Sequence, residues 1–122
     1  MHNKTLNYTT YLILLLTIVL GCGGKKTGKV TSQSPDKKIL VTITGTKPNF
    51  ADPFKTTIIF EAEGKKDAVE TEIYANELNE ENVKVDWASS ADCKITIDQQ
   101  DGNQRKFNLH YDAEGLELVE QQ

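Results

Sequence analysis

Few side chains in this 122-residue chain are of a type that makes or breaks bonds: two thiols, Cys22 and Cys93, and two imidazoles, His2 and His110. A reactive Cys needs a lowered pKa and a base beside it. Cys93 alternates with Ile95 and Ile97, which points it inward as a small packing residue. His110 sits between Leu109 and Tyr111 on the polar phase of its run. Nucleophilic catalysis asks for a base aligned with a Ser or Cys, and zinc asks for three or four ligands. Ser89 and Ser90 are present, but nothing in the spacing ties them to His110. Asp98-Gln-Gln-Asp-Gly-Asn103 has oxygen donors, yet a helical calcium loop wants Gly at its sixth position and a bidentate Glu at its twelfth. Here Gly102 is fifth and no such Glu follows. The segment reads as a hairpin turn, and so does Asp112-Ala-Glu-Gly115. The abundant carboxylates form the pairs that an acidic surface yields by chance, without the cleft that a glycosidase pair occupies. The expectation is therefore no catalytic residue, no metal site and no cofactor.

One connection is a candidate for recognition. Pro48-Asn-Phe-Ala-Asp-Pro-Phe54 places two aromatic rings, Phe50 and Phe54, in a segment restricted by Pro48 and Pro53. Loops carry much of protein recognition, and aromatics dominate interface hot spots. Either both rings cap a core between two strands, or the segment is a partner-binding loop.

The amino terminus gives an address. Tyr11-Leu-Ile-Leu-Leu-Leu-Thr-Ile-Val-Leu20 is about half the length that spans a bilayer, and Lys25 and Lys26 bar its extension downstream. With Lys4 before it and Gly21 after it, the run has the dimensions of a cleaved export signal. Val19-Leu20-Gly21-Cys22 resembles the lipobox of bacterial lipoproteins, with the bulky Leu20 standing where a small residue is usual. The resemblance covers the first fifth of the chain. It implies cleavage between Gly21 and Cys22, a thioether-linked diacylglycerol on Cys22, and stable anchoring by at least two acyl chains without a spanning helix. Gly23, in place of an Asp that would favour inner-membrane retention, implies the outer membrane, on its periplasmic side. No acidic cluster of the kind that marks surface display follows Cys22.

If Cys22 is acylated, Cys93 is the remaining thiol and the mature chain has no disulfide within it. Charge divides along the chain. Residues 22–38 hold five Lys against one Asp, whereas Ile39 onward holds eight Lys or Arg against seventeen Asp or Glu. The acidic body argues against nucleic acid as a partner. Residues 22–38, rich in Gly, Ser, Thr and Lys, read as a flexible basic tether with a mean reach of about 20–25 Å. Either its lysines lie along anionic headgroups, each contributing about 1 kcal/mol, or Gly23-Gly-Lys-Lys26 is a solvated spacer.

From residue 39 to 122 the pattern is alternation. Ile39, Val41 and Ile43 share a face; so do Thr56, Ile58, Phe60 and Ala62; Val83, Val85 and Trp87; Cys93, Ile95 and Ile97; Phe107, Leu109 and Tyr111; and Leu116 and Leu118. Residues 67–82 alternate through Val69, Thr71, Ile73 and Ala75, which predicts a strand, with a helix as the alternative on propensity. About seven short strands separated by turns predict an all-β fold, a small antiparallel β-sandwich of immunoglobulin-like architecture. Trp87 is similar in position to the core Trp of that architecture, without its paired cysteines. The reading that follows is a lipid-anchored, non-enzymatic envelope protein that binds a protein or envelope component. A structural subunit joined by sheet-edge pairing, or a small ligand carrier or enzyme, are the alternatives.

Overall fold

A computed structural model describes residues 25–121, and these are all-β, with no helix among them. Eight strands run in order: β1 (Lys26–Gln33), β2 (Ile39–Lys47), β3 (Phe54–Ala62), β4 (Lys65–Ile73), β5 (Val83–Trp87), β6 (Asp92–Asp98), β7 (Gln104–Asp112) and β8 (Gly115–Gln121). They form two four-stranded antiparallel sheets, β1-β2-β3-β4 and β5-β6-β7-β8. Every second residue of the central strands is buried: Ile39, Val41 and Ile43 on β2; Phe54, Ile58 and Phe60 on β3; Cys93, Ile95 and Ile97 on β6; Phe107 and Leu109 on β7. Side chains of a strand alternate across its sheet, so this phase gives each sheet one apolar face. The two faces share one core, against which Trp87, Tyr111, Leu116 and Leu118 are partly buried. Polar bonds stitch the rims: Trp87 Nε1 donates to Ser32 Oγ at 2.9 Å, and Arg105 donates to Thr71 Oγ1 at 2.8 Å and to the Glu72 carbonyl at 2.9 Å.

Three expectations are corrected. The segment expected as part of a flexible tether is, over Lys26–Gln33, strand β1, paired with β2 from Lys26↔Lys47 to Gln33↔Leu40. An edge strand needs little apolar surface, and here Val30 alone is a buried apolar residue. Its ladder satisfies backbone groups that β2 would otherwise leave open. The β1–β2 turn is closed by Ser34, whose hydroxyl accepts from Ile39 N at 3.0 Å and donates to Asp36 at 2.6 Å. The strand count is accordingly eight rather than seven.

The immunoglobulin-like strand order also gives way. That architecture interleaves its strands between two sheets; here each sheet is a sequential meander, and the chain passes between them once, through residues 74–82. Tight turns elsewhere keep each strand beside its predecessor, as at Glu63 and Gly64, both at positive φ, the conformation of a two-residue hairpin.

The strand expected over 67–82 begins at Lys65 and stops at Ile73. Ala75 and Leu78 continue the burial from an irregular connection that closes one end of the core. Leu78 packs so closely that a Cβ on Gly28 would sit 2.6 Å from the Leu78 Cβ, and one on Gly45 2.9 Å from its Cδ2. Glycine in β1 and β2 is what admits this plug.

Candidate functional site

Antiparallel pairing sorts the connections to two ends. The start of β1, the 48–53 loop, the 74–82 connection and the 99–103 turn share one end, because Lys26 pairs with Lys47 and Phe54 with Ile73. Gln100 N donates to the Tyr74 carbonyl at 2.9 Å, and Tyr74 N to Gln99 Oε1 at 3.0 Å, joining the second sheet's turn to this end.

The candidate loop is split by the structure. Phe54 opens β3 at 0% exposure, a core residue. Phe50 is 80% exposed. It occupies a central position of a β-turn in which Asp52 N donates to the Asn49 carbonyl at 3.0 Å and Asn49 Nδ2 donates to Asp52 Oδ2 at 2.9 Å. Pro48 is exposed and Pro53 half-buried. Their fixed φ angles restrict both approaches to the turn, which holds the Phe50 ring outward.

Beneath the loop lies a residue that the sequence reading passed over. Lys47 is 3% exposed; its Nζ donates to the Ala75 carbonyl at 2.8 Å and lies 5.8 Å from the centre of the Phe50 ring and 5.6 Å from that of Phe54. It ties the 48–53 loop to the 74–82 connection. The signal was available: the inward phase of Ile39, Val41 and Ile43 continues through Gly45 to Lys47.

The groups able to do chemistry lie elsewhere and do not converge. Cys93 faces the core, and burial, with a smaller contribution from Asp92, pushes its thiol up to about 12, so it is protonated and no nucleophile near neutral pH. His110 faces outward on the opposite side of the sheet. Its Nδ1 is 2.6 Å from Asp92 Oδ1 and its Nε2 3.2 Å from Asp112 Oδ2. Ser89 donates to Asp92, not to His110. Both ring nitrogens face carboxylates, so neither is free to draw a proton from a hydroxyl. The Asp92↔His110 pairing is a cross-strand register that alternation does not reveal. In the 98–103 turn, Asp101 accepts from Asn103 N and Nδ2, and Asp98 from Gln104. Among the described residues no three His, Cys, Asp or Glu side chains are arranged to hold a metal.

The His110 cluster has a pH signature. The Asp92 carboxylate raises the imidazole's pKa above its ordinary value, and Asp112 adds to this. The His110 bond lowers the Asp92 carboxyl, whereas Asp112 is lowered first by the Glu114 backbone N–H and then by His110. A raised imidazole pKa gives stability that is full below about pH 6.5 and lost as pH rises through the folded value. The lowered carboxylates contribute above about pH 4, and that share fades as pH falls through their folded values. Melting temperatures of the wild type and His110→Gln should therefore differ most near pH 5–6 and converge by about pH 9. A difference that stays constant across that range would show that ionisation of His110 is not coupled to folding.

A recess of about 740 Å³ opens beside β4, lined by Lys55, Thr57, Glu70, Tyr74 and Arg105 among others. Arg105 is already engaged by Glu120, which raises its pKa, and by Thr71 and the Glu72 carbonyl. The recess is open to solvent, and its lining mixes charged and hydroxyl groups with the apolar stems of the same side chains.

No family model, curated protein or solved structure matches this chain. Gly21 and Cys22, with the rest of the expected leader, lie outside the described residues.

Proposed function

We propose that the chain is a lipid-anchored protein of a bacterial cell envelope, held by acyl groups on Cys22 at the periplasmic face of the outer membrane. Its β domain, which we read as a sandwich of two meanders, binds an envelope component without catalysis. The observation that carries the binding reading is Phe50, exposed on a turn with two prolines and supported from below by Lys47. An aromatic held out in solvent by a stiff loop is the form that interface anchors take. The anchor itself rests on the Leu20-Gly21-Cys22 pattern after a short apolar run.

Metabolic labelling with a fatty-acid analogue in a bacterial host tests the anchor. The wild-type chain should take up label and partition into detergent, and Cys22→Ser should do neither. A processed wild-type chain that is free of label would overturn it.

A second reading, pairing of a sheet edge with a larger complex, is favoured by β8. Its residues are mostly exposed or half-buried, and Val119 is among the few large apolar side chains in solvent. The β4 edge is less suited, since Lys65, Lys66, Asp67, Glu70 and Glu72 place the charges there that discourage strand addition.

A further inference from the structure

We infer that the component met by the Phe50 end is the bilayer that holds the anchor, a surface of zwitterionic lipid into which Phe50 inserts. This rests on the lipid-anchor reading above and names the occupant of the same loop.

The inference follows from chain length and register. Between Cys22 and the first strand residue, Lys26, there are three residues, Gly23, Gly24 and Lys25. Four Cα steps span at most about 14 Å. A diacylated Cys22 sits at headgroup level, so Lys26 is held within that distance of the membrane. Lys26 pairs directly with Lys47, the residue before Pro48. The anchor therefore brings the 48–53 loop to the membrane, whereas a tether running to Lys38 would have let the domain turn any face toward it.

The composition of this end fits a bilayer interface. Three large apolar side chains are well exposed among the described residues, and Phe50 and Tyr74 are two of them. Tyr74 stands 50% exposed at the start of the 74–82 connection, which Lys47 ties to the loop through Ala75. Aromatic rings with an apolar body settle at the headgroup level. The charge at this end selects the lipid. Lys25, Lys26, Lys47, Lys55 and Lys84 are matched by Asp52, Glu77, Glu80, Glu81 and Asp101; Lys26 is already paired with Glu77 at 3.0 Å, and Lys47 and Lys84 donate to the Ala75 and Glu80 carbonyls. An end without net positive charge gains little from anionic headgroups. Of the lysines expected to lie along them, Lys26 is paired with Glu77, Lys29 lies on β1, and Lys37 and Lys38 sit in the turn at the opposite end. The opposite end, with the 34–38, 63–64, 88–91 and 113–114 turns, then points away from the membrane.

The test uses the full chain, acylated in a bacterial host and reconstituted in phosphatidylcholine vesicles carrying brominated acyl chains. Trp87, the single Trp, lies toward the far end, paired with Cys93 beside the 88–91 turn. In the double variant Phe50→Trp with Trp87→Phe, the indole at position 50 should show blue-shifted emission and be quenched by the brominated lipid. Trp87 in the wild-type chain should not be quenched, and neither result should change with added salt. Acylated protein that sediments with the vesicles while the position-50 indole keeps a solvent-like, unquenched emission overturns the docking and leaves the anchor standing. If that indole is buried only in native envelopes, a protein occupies the loop and the docking is likewise overturned. A purified chain whose mass lacks acyl groups overturns the anchor, and this inference with it.

Discussion

Gly28→Val should destabilise the domain by about 2–3 kcal/mol, the cost of forcing a side chain into packed structure that cannot relax. A Cβ at Gly28 would meet the Leu78 carbonyl oxygen and lie 2.6 Å from the Leu78 Cβ. The nearest of these atoms are backbone or directly attached to it, so no rotamer change relieves the clash. Either β1 must leave the edge of its sheet, exposing the ladder of β2, or the 74–82 connection must lift and uncover Leu78, which is 2% exposed in the native fold. Urea unfolding followed by Trp87 fluorescence measures the loss, because the Trp87 indole bonds to Ser32 of β1 and reports on that rim. Thr27→Val, on the exposed side of the same strand, should change stability by no more than about 0.5 kcal/mol. Equal midpoints for Gly28→Val and the wild type would mean that residues 26–33 do not pack as a strand.

Lys47→Ala should lower stability by about 3 kcal/mol, for two separable reasons. Removing the ammonium leaves the Ala75 carbonyl without its 2.8 Å donor in a buried setting, a loss of about 1–3 kcal/mol. Removing the methylene stem of this 3% exposed side chain also leaves a void beside the buried Phe54, with buried methylenes contributing about 0.8 kcal/mol each. Lys47→Met keeps most of the stem and loses the donor, so its cost should be smaller, about 1–2 kcal/mol. The order wild type, Lys47→Met, Lys47→Ala in denaturant midpoint checks this. Both variants should also speed proteolysis within 48–53, since the tie between that loop and residue 75 is cut. A Lys47→Met protein as stable as the wild type would show that the ammonium contributes nothing to the fold.

Where a strand has apolar side chains on one face, it could be read directly. The alternations of β2, β3, β6 and β7 recur as their buried faces, and Cys93 faces the core as its phase required. Asp101-Gly102 lies in a turn, with Gly102 at positive φ. What escaped were features whose cause lies in another segment. β1 has one apolar residue in the core, so its composition looks like that of a linker until β2 is placed beside it. Residues 74–82 hold a partial alternation past the end of β4, and only the gap at the end of the core shows why Leu78 plugs it from a loop. Asp92 and His110 meet because a hairpin register puts them opposite each other across 18 positions. In the candidate loop, Phe50 and Phe54 are alike in the sequence, and the start of β3 separates a buried ring from an exposed one.

By itself, then, the sequence determined the fold class and the inward face of most strands, because a period of two is written into each strand's own residues. It also supplied the expectation of an anchored Cys22, which depends on a contiguous run of residues. Tertiary structure alone decided the strand order, the recruitment of residues 26–33 to the first sheet and the burial of Lys47. It also decided that the chain enters the domain beside the Phe50 loop. These depend on which backbone edges and cavities remain to be filled once the other strands are in place, and no local pattern records that.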